Sequence, residues 1–223
     1  MIARRACRGR RVGCKSSKNA GGTPATTEER AVTIIEMLVV IMVIVILAAL
    51  VLAASSYVQN KGVRARAETE IAAFSAALES YKADNGIYPR GNADLSTTAP
   101  YDTDNLDPKT QTDPTTSAYQ KASLFLYKQL AGVTSAIRSA APSNKVYFSF
   151  KPTMLIPAPP STADITGIRD PFGNNYGYST AQAANPGGNT GYNPTYDLWS
   201  TAGTGTSGIP SPSPIQNKWI KNW

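Results

Sequence analysis

From Val32 to Ala54 the chain has 23 residues of which only Thr33 and Glu36 are polar, and Met37 to Ala54 is uninterrupted apolar sequence. As a helix rising about 1.5 Å per residue, this stretch spans roughly 34 Å, enough to cross a hydrocarbon core of about 30 Å. It is too long for the apolar region of an ordinary secretory signal, and the helical pattern runs straight on past it. Seven Lys/Arg lie between Arg4 and Lys18, and Arg30 adjoins the run. By the positive-inside rule these cations hold the N-terminus in the cytoplasm, so everything after Ser56 lies on the other side.

The formal net charge of the 223-residue chain is +7, but residues 1–31 hold eight Lys/Arg against two Glu. The remainder has 14 basic and 13 acidic residues and is nearly neutral. The basic segment is therefore expected to act in targeting, and no nucleic-acid partner is expected. Both cysteines, Cys7 and Cys14, lie in that segment, so a form without it has no thiol chemistry. Histidine is absent throughout, which removes the commonest general base near neutral pH and the commonest transition-metal ligand. An enzyme is not expected.

Beyond the apolar run, Val63, Ala67, Ile71, Phe74, Leu78 and Tyr81 recur at steps of three and four, while Arg64, Arg66, Glu68, Glu70, Glu79 and Lys82 cover the other faces. This predicts one helix from Thr33 to about Asn85, some 80 Å long, apolar all round in its first half and amphipathic in its second. "DNG" (Asp84 to Gly86) closes it, with Gly86 suited to the left-handed residue and Pro89 beyond. Ile87 to Thr116 reads as a polar loop, and "SAYQKASLFLYKQLAGV" as a second helix with Tyr119, Leu124, Leu126, Tyr127 and Leu130 as its apolar positions. "KVYFSFK" alternates Val146, Phe148 and Phe150 against Tyr147 and Ser149, a strand pattern. Met154 to Ile156, Tyr176 to Ser179 and Tyr196 to Ser200 are further strand candidates. Thr201 to Pro214 is low-complexity loop, and "NKWIKNW" reads as a packed tail.

"AVTIIEMLVVIMVIVILAAL" resembles the N-terminal signature of type IV pilins and type II secretion pseudopilins, in which a small residue precedes a cleavage point and a glutamate stands fifth after it. Counting back from Glu36 puts the cut between Ala31 and Val32, where the family usually has Gly and Phe. "ALESYKADNGIYP" (Ala77 to Pro89) resembles the end of the long helix in the major pseudopilin, the G subunit. "DPFGNNYGYS", with Asp170, Pro171, Gly173 and Asn174, is similar to that family's Asp-Pro-Trp-Gly-Asn-Pro-Tyr segment. "YDLWS", with Asp197, Leu198 and Ser200, is similar to its Asp-Leu-Tyr-Ser strand, and "IKNW" to its closing motif. The matches cover roughly 31–89 and 170–223, in family order.

The resemblance implies an α+β, pilin-like fold: the long N-terminal helix packed on a small C-terminal domain with a second helix and a short antiparallel sheet. It also implies four parts: a basic leader (1–31) removed by a prepilin peptidase that then methylates Val32, a transmembrane and filament-core half-helix (32–54), an amphipathic half (55–86), and a periplasmic globular domain (87–223). The implied product is a pseudopilus subunit of the inner membrane and periplasm, with other copies of itself, minor pseudopilins, the peptidase/methyltransferase and the inner-membrane secretion platform as partners. No cofactor is expected. The family's C-terminal calcium site needs carboxylates among its hard oxygen ligands. Here Thr204 stands where the first aspartate is expected, Lys218 falls near the second, and no acid follows Asp197. Aromatic packing of Trp199, Trp219 and Trp223 is expected to hold that loop instead.

Glu36 has two readings that can coexist. In a capping box, Thr33 caps the first turn and Glu36 returns a bond to the cap's amide, which is worth about 1 kcal/mol. A glutamate at the bilayer centre costs about 2.5–3.5 kcal/mol, and less near the edge. Cleavage would create an α-ammonium on Val32, four residues away, with which Glu36 of the same or a neighbouring subunit can pair. The remaining alternatives are a surface type IV pilin, disfavoured because the body has no disulfide, a minor subunit, and a membrane-anchored protein binding a ligand such as a glycan through Tyr176, Tyr178, Tyr192, Tyr196 and Trp199.

Overall fold

A computed structural model describes residues 33–91, 103–204 and 214–223. The chain divides into two units, 1–49 and 50–223, taken here one at a time.

In the first unit the described residues belong to the opening of a single helix, α1 (Ile34–Asn85), which contributes Leu50 to Asn85 to the second. Ile34–Leu52 is long and apolar enough to cross a membrane, and none of it is buried within the protein. A stretch this apolar on every side, unburied among the described residues, is compatible with a surrounding of lipid or of other helices. Ala54 lies within α1, two residues past that stretch.

The second unit is built on the amphipathic half of α1. Ala67, Ile71, Phe74, Ala77 and Leu78 are buried, while Val63 and Tyr81 at the ends of the stripe are half-buried. Gly86 takes φ +79° and its amide closes on Lys82 O, the left-handed stop that a side chain would strain. The second helix, α2 (Ser117–Ala131), buries Tyr119, Leu126, Tyr127 and Leu130 as expected. Leu124 is only half-buried, and the core position beside it belongs to Phe125.

Among the described residues five short strands follow: β1 (Leu155–Ile156), β2 (Gly167–Ile168), β3 (Gly177–Ser179), β4 (Asp197–Ser200) and β5 (Ile220–Lys221), with a one-turn helix α3 (Ala181–Ala184) after β3. β1 and β2 form an antiparallel pair, and β3, β4 and β5 an antiparallel sheet with β4 in the middle. Gly177 faces Trp199 and Ser179 faces Asp197 in one register, and Ser200 faces Ile220 in the other. The architecture is α+β: helices plus small antiparallel sheets.

The strand expected at Val146–Phe150 does not form. The amides of Tyr147 and Phe148 both donate to Leu130 O at the end of α2, at 2.8 and 3.0 Å, so they are spent on a helix terminus and not on a ladder. The rings still pack: Phe148 lies edge-on to Phe74 with centroids 4.8 Å apart, and Phe150 lies edge-on to Tyr127 at 5.2 Å. The sequence pattern placed β1, β3 and β4 but not β2 or β5, two-residue strands that pair with β1 and β4.

All four residues of β4 are buried. Leu198 joins the larger core with Phe74, Leu126, Tyr176 and Tyr178, while Trp199, on the opposite face, joins a second core with Leu106, Tyr119, Ala122 and Trp219. The central strand thus separates two apolar clusters, which positions the residues described next.

Candidate functional site: the helix entry and two aspartate-clamped turns

Ala31 and Val32, the expected cleavage residues, lie outside the described residues. Glu36 is in the first turn of α1, where Thr33 O accepts the amides of Glu36 (3.0 Å) and Met37 (3.2 Å). Thr33 is therefore where helical bonding begins. Within Ile34–Leu52 Glu36 is the only ionisable residue, and it is exposed among Ile34, Ile35, Met37 and Leu38. An acid in that company needs a partner from outside the span, because nothing within it is charged.

The "DPFGN" motif is the turn joining β2 to β3. Asp170 N donates to Asn174 O (2.8 Å) and Tyr176 N to Ile168 O (3.0 Å), while Arg169 and Asn175 form an isolated bridge across it. The Asp170 carboxylate is buried and fills the turn from inside. Its Oδ1 accepts the amides of Phe172 (3.0 Å) and Asn174 (2.8 Å), and its Oδ2 accepts the hydroxyl of Ser200 in β4. Gly173 sits at φ +100°, which needs a residue without Cβ. Pro171 occupies the first corner, where a fixed φ is favourable. Asn174 Nδ2 donates to Thr201 Oγ1 at 3.3 Å, a second tie to the end of β4. Burial pushes the Asp170 carboxyl above the ordinary carboxylate range, against the opposing pull of Ser200 and the turn amides.

Asp197, the first residue of β4, clamps a second turn in the same way. Its two oxygens accept the amides of Tyr192 and Asn193, each at 2.8 Å, and burial again pushes its carboxyl up against those bonds and the nearby Lys109 charge. The tail is locked to β4 by Asn222, whose Oδ1 accepts Leu198 N (2.8 Å) and whose amide donates to Leu198 O (3.1 Å). The "DPFGN", "DLWS" and "IKNW" motifs, dispersed in sequence, therefore meet on one strand. Their two carboxylates are buried and accept backbone amides, Asp170 also a hydroxyl, an arrangement that suits bracing the turns.

Thr204 and Lys218 do not suit calcium. The Thr204 hydroxyl donates to Thr201 O at 2.6 Å, Lys218 brings a cation, and the Lys218 carbonyl accepts Arg64 Nη1 at 2.9 Å. Among the described residues no three His, Cys, Asp or Glu side chains converge. Around the same end of the sheet, Trp199 and Trp219 stack at 6.0 Å and 9°, and Trp223 meets Trp199 edge-on at 5.8 Å. Trp223 also stacks on Tyr192 at 4.6 Å and 10°. The indole Nε1 of Trp199 donates to Tyr119 Oη at 2.9 Å.

Sequence reasoning missed several supports. Tyr176 Oη donates to Glu70 Oε2 (2.9 Å), and Arg66 Nε binds the other oxygen of Glu70 (2.8 Å), tying α1 to the residue that precedes β3. Asp107, in the loop before α2, accepts Gly191 N (3.1 Å) and steadies the turn that Asp197 clamps. The roles of Asn222 and Tyr119 also went unseen, since neither carries a local pattern that signals a distant partner.

No family model, curated protein or solved structure matches the chain.

Proposed function

We propose that the chain is a structural subunit of a type II secretion pseudopilus, made as a precursor, cut between Ala31 and Val32, methylated on Val32 and polymerised through α1 into a periplasmic filament that drives protein export. The carrying observation is Glu36, the only ionisable residue in Ile34–Leu52 and in the first turn of α1, whose opening stretch Ile34–Leu52 is apolar and unburied. Cleavage supplies the missing partner, an ammonium at Val32 four residues away. Out-of-register packing would leave two charges unpaired in a low-dielectric core, so the pair fixes register. The meeting of Asp170 and Asn222 with Ser200 and Leu198 of β4 gives further support, because it lends a structural purpose to three of the motifs that carry the resemblance.

In this reading the protein starts as a single-pass inner-membrane protein, N-terminus in the cytoplasm, and its pilin-like globular part works in the periplasm. Its partners are its own copies, minor pseudopilins, the prepilin peptidase/methyltransferase and the secretion platform. The rival reading, an anchored glycan-binding protein, needs accessible rings. Tyr176, Tyr178, Tyr196 and Trp199 are buried, and only Tyr192 is well exposed, at 39%.

N-terminal sequencing of the mature protein tests the proposal: a start at methylated Val32 supports it, and an intact leader rejects it. Glu36→Ala is expected to insert normally yet lose crosslinking between subunits, and unchanged filament formation would overturn the pairing argument.

A further inference from the structure

Arg138 holds its charge against carbonyls alone. Its Nη2 donates to the carbonyl of Pro157 and its Nε to that of Ala163 at 3.4 Å, while Nη1 is buried with no partner. Two of the five N–H donors of a guanidinium are thus used, both on neutral oxygens. The ion pairs among the described residues, Arg66–Glu70, Arg90–Asp104 and Lys145–Asp84, lie elsewhere. A buried donor left unpaired costs free energy, and the natural mate of a planar guanidinium fork is a carboxylate.

The same side chain lines a surface cleft of about 250 Å³, whose other lining residues are apolar apart from Ser149 and the Tyr127 hydroxyl. Tyr127 and Val133 reach it from α2 and the turn that ends it, Leu155 from β1, and Val146, Phe148 and Phe150 from the segment that makes no strand. Phe148 and Phe150 meet edge-on at 4.7 Å and are half-buried, and Val146 is 45% exposed. The space equals about eight waters at about 30 Å³ each, so it takes a ligand of on the order of ten heavy atoms. Tyr127 places the charge close by: burial raises its hydroxyl pKa, and Arg138 pulls against that rise. Apolar walls with one placed polar group are the usual make-up of a small-molecule site.

We propose that this cleft binds a small aromatic carboxylate, its ring against Phe148 and Phe150 and its carboxylate on the Arg138 guanidinium. Charge complementarity fixes the sign of the ligand: an amine would meet a like charge, and an uncharged ring would bring Arg138 no anion. A ring is favoured over an alkyl chain because the half-buried walls are themselves rings, which stack or meet edge-on. All the walls come from residues 127–155, so binding does not depend on the chain being cut or assembled as proposed above.

The test uses the full chain in phosphatidylcholine nanodiscs, with hydrocinnamate and its amide as probes and saturation-transfer NMR of the probe as readout. The two probes share size and ring and differ in charge, so the amide should bind at least about tenfold more weakly, the loss of one charge-assisted pair. Val146→Asp alters an exposed residue and brings an acid to the cleft; it should abolish binding of hydrocinnamate with the unfolding midpoint unchanged. Arg138→Gln should bring acid and amide to the same affinity. Equal affinity of the two probes for the wild type would overturn the proposal, as would hydrocinnamate binding that survives both substitutions, or no saturable binding at millimolar concentration beyond that of empty discs. Hydrogen-exchange protection of residues 138–150 that rises with the number of chains per disc, with no acid bound, would assign the cleft to a second copy and would also overturn it.

Discussion

Asp170→Ala is the sharpest probe of the arrangement around β4. The substitution removes the acceptor of three hydrogen bonds, from Phe172 N, Asn174 N and Ser200 Oγ, and leaves two amides and a hydroxyl without partners in a buried turn. Hydrogen bonds to a charged group are worth about 1.5–3 kcal/mol each, but the mutation also relieves the burial of a carboxylate, so the net loss should be about 3–4 kcal/mol. At about 2–4 °C per kcal/mol for a unit of this size, Tm should fall by about 10 °C. Asp170→Asn keeps an oxygen for both amides and offers Ser200 a donor, so it should cost only about 1 kcal/mol. Tryptophan fluorescence during urea unfolding of the full chain in detergent reads both variants. If Ala costs under about 1 kcal/mol, or if Asn costs as much as Ala, the clamp is not what holds the turn. The pH dependence adds an independent sign. Burial raises the Asp170 carboxyl in the folded state above its ordinary value of 3.8, so the folded protein takes up the proton first. The stability linked to this group is therefore present below 3.8 and is lost as pH rises through the folded value. Wild type should gain stability relative to Asp170→Asn as pH falls from 7 toward 4, and a gap that narrows would contradict the raised value.

Further outcomes follow from the same geometry. Gly177→Ala places a methyl group inside the indole of Trp199, whose ring is hemmed in by Tyr119 and Trp219, so thermal unfolding should show a loss of about 1–3 kcal/mol or more. Tyr119→Phe strands Trp199 Nε1 and Gln111 O and should cost about 2 kcal/mol, with a weakened near-ultraviolet tryptophan signal in circular dichroism. A calcium site filled at 100 times its Kd would add about 2.7 kcal/mol. With Thr204 and Lys218 in the expected ligand positions, Tm should be the same in millimolar calcium and in excess chelator, and a calcium-dependent rise would reinstate the metal.

The long helix was legible because its signals are local. An apolar run and a three-four apolar stripe act on neighbours within two turns, and Gly86 stops the helix by its own backbone freedom. The α2 stripe was legible for the same reason, although Leu124 packs on the core only half-buried and its neighbour Phe125 is buried as well. The Val146–Phe150 alternation misled because period-two patterning records which side chains are apolar and says nothing about where the amides go. Here Leu130 O takes them.

The sequence by itself determined that the chain carries a span-length apolar helix bearing one acid, that an amphipathic helix continues from it, and that Asp170, Asp197 and Ser200 sit in turn-prone or strand-prone stretches. Only the tertiary structure decided that Asp170 bonds Ser200, that Asn222 closes on Leu198, and that Lys218 lies beside Arg64. Helical periodicity follows from bonds four residues apart and is written in adjacent residues. A buried carboxylate or a two-residue strand takes its meaning from groups dozens of residues away, which the packing of the two cores on either side of β4 brings together.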